Sequence, residues 1–131
     1  MMKIYLFVGI GGALGSVLRY IVSVISLHIF GGLFPYGTII VNFIGSLALG
    51  WFTSRFIQAN KISPHIAGAV GTGLIGSFTT LSTLSVDFVM LLEHEHLMLA
   101  LLYLIISVIG GLLLALLGLR LGNKKDVGDQ L

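Results

Sequence analysis

The sequence predicts an all-α membrane protein of four transmembrane helices, the third of them broken near its middle. Three observations lead there. With 56% of its 131 residues hydrophobic and 9% charged, and a mean hydropathy of +1.08, the chain lies outside the range of soluble domains. Its apolar residues gather in four long stretches, each near the ~20 residues that a helix needs to cross the hydrocarbon core. None of the stretches alternates apolar with polar residues as barrel strands do, and an open sheet in lipid would leave backbone groups unpaired.

The first span is expected over residues 4–27. Lys3 stands ahead of it as in a secretory signal, but the run is too long for one and contains Arg19, so it reads as a mature helix. Gly11 and Gly15, four residues apart, mark a face for close helix packing. Arg19 lies ~22 Å along this helix at 1.5 Å per residue, where a side chain snorkelling to the interface is the ordinary reading. A Gly/Pro turn, GGLFPYG (31–37), leads to the second span, 36–54. Asn42 sits several residues inside that span; the ordinary role for such an amide is an interhelical hydrogen bond, worth ~0.6 kcal/mol. Gly45 is a second packing position.

After a polar turn, QANKISPH (58–65), comes the third span, 66–92. It holds seven hydroxyls within residues 72–85: Thr72, Ser77, Thr79, Thr80, Ser82, Thr83 and Ser85. Scattered hydroxyls bond back to the preceding turn and mean little, but this density is unusual. Glycine and β-branched residues crowd together from Gly76 to Thr80, which weakens the helix. A break in mid-membrane is tolerated only beside protein or a water-filled cavity. It presents bare N–H groups on one side and bare carbonyls on the other, sites for an anion and a cation. The segment therefore reads as an ion site. An acidic turn, EHEH (93–96), precedes the fourth span, 97–119, where Gly110, Gly111 and Gly118 are packing positions; residues 122–131 form a polar tail. The whole is one domain.

Several functions are excluded. The chain has no cysteine, hence no disulfide framework or thiolate metal site. Gly71, Gly73 and Gly76 satisfy G-x-G-x-x-G, but within an apolar span and without a preceding strand they are no nucleotide fingerprint. His94 and His96 lack the i, i+3 or i+4 spacing of helical metal ligands. Asp87, near a helix end, is the one carboxylate within a span, which disfavours a proton-coupled antiporter. Neither an enzyme nor a nucleic-acid partner is expected.

Charge predicts orientation. Lys3, Arg55, Lys61, Arg120, Lys124 and Lys125 fall on one side of the membrane and only Arg19 on the other. Because cytoplasmic segments collect Lys and Arg, both termini are expected in the cytoplasm of a plasma-membrane protein.

Three motifs, GGALGSVLRY (11–20), YGTIIVNFIGSLALG (36–50) and GTGLIGSFTTLSTLS (71–85), follow one another in separate helices. In them, and over essentially its full length, the chain resembles the CrcB/Fluc family of fluoride channels. The resemblance implies an antiparallel dimer with two fluoride pores and a central sodium ion. It implies that Asn42 donates an amide hydrogen bond to fluoride, and that Gly76 and Thr79 offer backbone carbonyls to sodium. Tyr103 and Ser107, at i and i+4 on the fourth helix, match a polar track whose third position is Gly111. Arg19 matches a vestibule arginine. The hydroxyls of Ser82, Thr83 and Ser85 complete the expected ion pathway. Fluoride is small and strongly hydrated, so a pore must replace its water with donors: amide N–H, hydroxyl O–H and the electropositive edges of aromatic rings.

One departure stands out. Where the family's third helix reads T-F-S-T-F-S, this chain has Thr80-Leu81-Ser82-Thr83-Leu84-Ser85. Both rings are missing; Phe78 lies one turn earlier and Phe88 one turn later. An antiparallel homodimer also needs a chain that inserts both ways, whereas the Lys/Arg bias is six to one. Together these features predict a heterodimer with a homologous subunit of opposite orientation, exporting fluoride passively from the cytoplasm. The alternatives are a conducting homodimer of dual topology, a non-conducting membrane scaffold and, more distantly, a small antiporter.

Overall fold

The computed structural model describes residues 2–123. Four helices are long and apolar enough to cross a membrane: Met2–Phe30, Tyr36–Ile57, Pro64–Glu93 and Leu97–Gly122. They are called the first to fourth helix below. Each runs past the span expected from hydropathy by up to three residues at an end, because polar and capping residues continue a helix beyond its apolar run. Among the described residues there is no strand. Of the polar tail, Gly122 still belongs to the fourth helix, and Lys124 to Leu131 lie outside the described residues.

Local chemistry sets the helix ends. Gly31, at φ +77, closes the first helix by donating its N–H to the Leu27 carbonyl at 3.0 Å, the left-handed stop that favours glycine. Ser63 caps the third helix, its Oγ accepting from Ile66 N at 3.4 Å, with Pro64 at the first position.

The helices associate in two parallel pairs, each zipped by glycine. A side chain at Gly11 would run into the Ala69 carbonyl, one at Gly15 into the Leu74 carbonyl, and one at Gly73 into the Val8 carbonyl. The first and third helices therefore touch backbone to backbone. Gly50 lies likewise against the Ala115 carbonyl, and Gly118 against Leu47 O and Trp51 N, which joins the second helix to the fourth. Small residues permit this approach, and dispersion at close range replaces the hydrophobic drive that lipid removes. The Gly122 and Arg55 backbones meet at one end, so Arg55 and Arg120 share that end. The buried core is small, with Ile39, Leu91, Ala100 and Tyr103 clustered and Phe34, Phe43, Leu84, Phe88 and Leu99 packed around them.

The third helix is interrupted as expected. Its first part starts as α-helix, widens to a π-helical stretch at Gly68–Ile75 and ends at Phe78; the second part is Ser82–Glu93. The interruption is at residues 79–81, at the far edge of the Gly/Thr cluster, and Thr79 is extended at ψ 158. The widened turn ahead of it was not foreseeable from apolar periodicity.

Candidate functional site

One side chain accounts for the break. In a continuous helix the Thr80 N–H would bond the Gly76 carbonyl and the Thr80 carbonyl would accept from Leu84 N. Asn42, from the second helix, takes both: its Oδ1 accepts from Thr80 N at 2.8 Å and its Nδ2 donates to Thr80 O at 2.9 Å. The two bonds fix the orientation of the amide, since the reverse would set donor against donor. Thr80 then starts the second half, its Oγ1 accepting from Thr83 N at 3.1 Å. The first half ends on Thr79, whose hydroxyl donates toward Ile75 O and Gly76 O at 3.2 and 3.3 Å. Gly45 leaves room for the Thr79 methyl, which any side chain there would strike.

Beside the break lies an open cavity of about 560 Å³, whose lining includes Asn42, Gly76, Thr79, Thr80, Leu81 and Ser107. Four of the expected site residues thus come together: Asn42, Gly76, Thr79 and Ser107. None of the side chains that line the cavity is ionisable. It offers hydroxyl and amide donors without a fixed charge that would trap an anion. The Gly76 carbonyl has lost its helical amide to Asn42, and the Thr79 carbonyl has turned out of the helix. Both are oxygen ligands of the kind a hard cation such as sodium accepts.

The other expected residues fall elsewhere. Tyr103 is fully buried within the core, edge-on to Phe34 with ring centroids 5.8 Å apart. Its hydroxyl donates to Asp87 Oδ2 at 3.1 Å, on which Thr38 Oγ1 also donates at 2.6 Å. Thr83 lines a separate cavity of about 240 Å³ together with Thr38 and Asp87. Ser82 is exposed, its Oγ 3.2 Å from Thr80 Oγ1. Ser85 donates back to Leu81 O at 3.0 Å within its own helix, the ordinary use of a helical hydroxyl. Arg19 is half-buried on the first helix and lines neither of these two cavities. His94 and His96 join no metal-binding cluster among the described residues.

The two leucines at the ring-less positions differ. Both line the open cavity, but Leu81 is 76% exposed, whereas Leu84 is partly buried against the protein's own core. Sequence reasoning had treated them alike. It also passed over Asp87 as a partner of Tyr103, and over Thr38 and Ser46. A signal for those two exists: Thr38, Asn42 and Ser46 recur every four residues, one polar stripe along the second helix.

The family profile described as CrcB-like protein, Camphor Resistance (CrcB), matches residues 6–119. The chain belongs to the CrcB family. Among curated relatives, it is 39% identical to the Fluoride-specific ion channel FluC 1 of Bacillus cereus (strain ATCC 10987 / NRS 248), over 98% of this chain and 97% of the relative. It is 41% identical to the Fluoride-specific ion channel FluC 2 of Listeria innocua serovar 6a, with 92% of this chain and 91% of the relative covered. The FluC 1 of Desulfitobacterium hafniense (strain Y51) is 38% identical, with 84% and 95% covered. The resemblance read from the three motifs is that of family membership, and the protein is a multi-pass membrane protein.

Proposed function

We propose that this chain is a subunit of a fluoride-specific channel, letting fluoride leave the cytoplasm passively and so lowering its toxicity. The observation that carries this reading is the uncharged, donor-lined cavity beside the break, with Asn42 and Ser107 among its residues. Asn42 spends one amide hydrogen on Thr80 O and keeps a second for an anion. The relatives' names support fluoride as the ion.

The functional unit is a dimer with a homologous chain of opposite orientation, and that chain brings the aromatic rings absent at Leu81 and Leu84. Two features support a mate rather than a second copy: the six-to-one Lys/Arg bias, and Leu81, which lies exposed beside the cavity where a ring would meet the ion. That some relatives are numbered 1 and others 2 accords with paired chains. Sodium binds on the dimer axis, held by Gly76 and Thr79 carbonyls of both chains, and both termini lie in the cytoplasm.

Fluoride efflux from liposomes holding this chain alone, and then this chain with its homologue, tests the reading. Efflux from the pair and none from the lone chain is expected. Robust efflux from the lone chain, with a C-terminal tag labelled on both faces of the membrane, would leave a homodimer of dual topology. No fluoride efflux from either preparation would leave a scaffold. For sodium, exchanging it for a large organic cation should lower the melting temperature of the pair; an unchanged value removes the ion from the axis.

A further inference from the structure

The second and fourth helices run parallel and in register, and each carries polar or small residues every four positions. Thr38 and Tyr103 meet through Asp87. One turn on, Asn42 and Ser107 line one cavity. One turn further, Ser46 stands against Gly111: a Cβ built on Gly111 would have Ser46 Oγ as its neighbour at 3.6 Å. The third level therefore has a hydroxyl on the second helix and open space on the fourth.

Two hydroxyls on these helices lack the partners that such groups require. Ser107 is 6% exposed, and its Oγ is the one buried side-chain polar atom without a hydrogen bond among the described residues. A buried hydroxyl left unsatisfied costs free energy, so its presence points to a ligand or water that visits it. Ser46 lines the same cavity. A helical serine in an apolar span ordinarily bonds back to the carbonyl four residues earlier, as Ser85 does to Leu81. No such bond ties Ser46 to Asn42 among the described residues, so its Oγ–H is left for the cavity.

We propose that Ser46 is an anion donor of this pathway. It receives the ion one turn beyond Asn42 and acts with Ser107, one turn back on the parallel fourth helix and lining the same cavity. The inference rests on the channel reading and deepens it: the ion is fluoride, and the second helix, not only the fourth, hands it along. Ser46 Oγ–H and Ser107 Oγ–H replace water in its shell. Because they are neutral donors without charge, they release it as readily as they take it.

The test is a hydroxyl swap in the complete pair of chains, measured as fluoride efflux from liposomes. Ser46→Ala should lower efflux about tenfold, the loss of one hydrogen bond to an ion. Gly111 has space for a side chain in ordinary contact with position 46, so the double variant S46A/G111S returns a hydroxyl to the same level from the opposite helix. It should recover most of the lost efflux. S46G, which removes the Cβ together with the hydroxyl, carries the same test should S46A assemble poorly. Efflux unchanged in S46A overturns the proposal while the channel reading stands. A loss that G111S does not restore, in variants assembled at the unmodified yield, overturns it as well and assigns Ser46 to packing. Absence of fluoride efflux from the unmodified pair is a different result, which removes the channel reading itself and this inference with it.

Discussion

The third and fourth helices are both apolar, both carry glycines near their middles, and behave in opposite ways. The fourth is an unbroken helix from Leu97 to Gly122 despite the Gly110-Gly111 doublet, whereas the third opens at residues 79–81. Glycine alone does not break a helix in lipid, because every backbone group it released would be unsatisfied. What distinguishes the third helix is a competitor. Asn42 offers the Thr80 peptide both an acceptor and a donor, and the Thr80 hydroxyl starts the next half. The nearest neighbour of Gly110 is the Phe43 ring, which fills space and offers no hydrogen bond to the backbone. A membrane helix opens where a neighbour takes over its hydrogen bonds.

That comparison is most directly broken at Asn42. Asn42→Asp keeps the acceptor for Thr80 N–H, strips the donor from Thr80 O and sets a charge in the span at a cost of about 2.5–3.5 kcal/mol. Fluoride efflux from the complete pair should fall by about two orders of magnitude, and unchanged efflux would reduce Asn42 to a strut between helices. Next in size is Gly45→Val, whose side chain would collide with the Thr79 methyl. Overpacking of this kind costs about 1–3 kcal/mol, to be seen as a lowered melting temperature of the purified pair together with a weaker response to sodium. Gly110→Ala would press on the Phe43 ring. A ring at the end of a side chain yields more easily than backbone, so about 1 kcal/mol is expected, with the fourth helix still intact by hydrogen exchange. Gly76→Ala should do least. Its Cβ would meet only the Gly71 carbonyl at 3.5 Å, and its backbone is helical at φ −62, so alanine should stabilise the first half by about 0.5–1 kcal/mol and leave efflux intact. A large loss there would mean that something closer than the protein's own chain fills that space.

Much of this molecule was legible before folding. Composition and four apolar runs dictate the four spans, since lipid leaves the backbone no other solution. The crowd of glycine and hydroxyl residues from Gly76 to Thr80 locates the break to within a few residues. The expected pathway was legible only in part, because spacing on one helix names a face and not what that face meets. Tyr103 and Ser107 share a face of the fourth helix, yet one is locked to Asp87 in the core and the other lines the open cavity. Leu81 and Leu84, three residues apart, look alike in sequence and border one cavity, yet the first is exposed and the second packs on the core.

Hydropathy and glycine spacing are properties of one segment at a time, and they settled the helix count, the packing faces and the place where the third helix is weak. Their physical basis is local: the transfer of each side chain to lipid and the backbone's need for internal hydrogen bonds. The partner of each polar group was decided elsewhere, when Asn42 and Thr80, 38 positions apart, were brought within hydrogen-bonding distance by two glycine-zipped helix pairs. A hydrogen bond depends on distance and angle between groups that the chain alone leaves unconnected, so the break, the cavity beside it and the free hydroxyls of Ser46 and Ser107 exist only once the helices are packed.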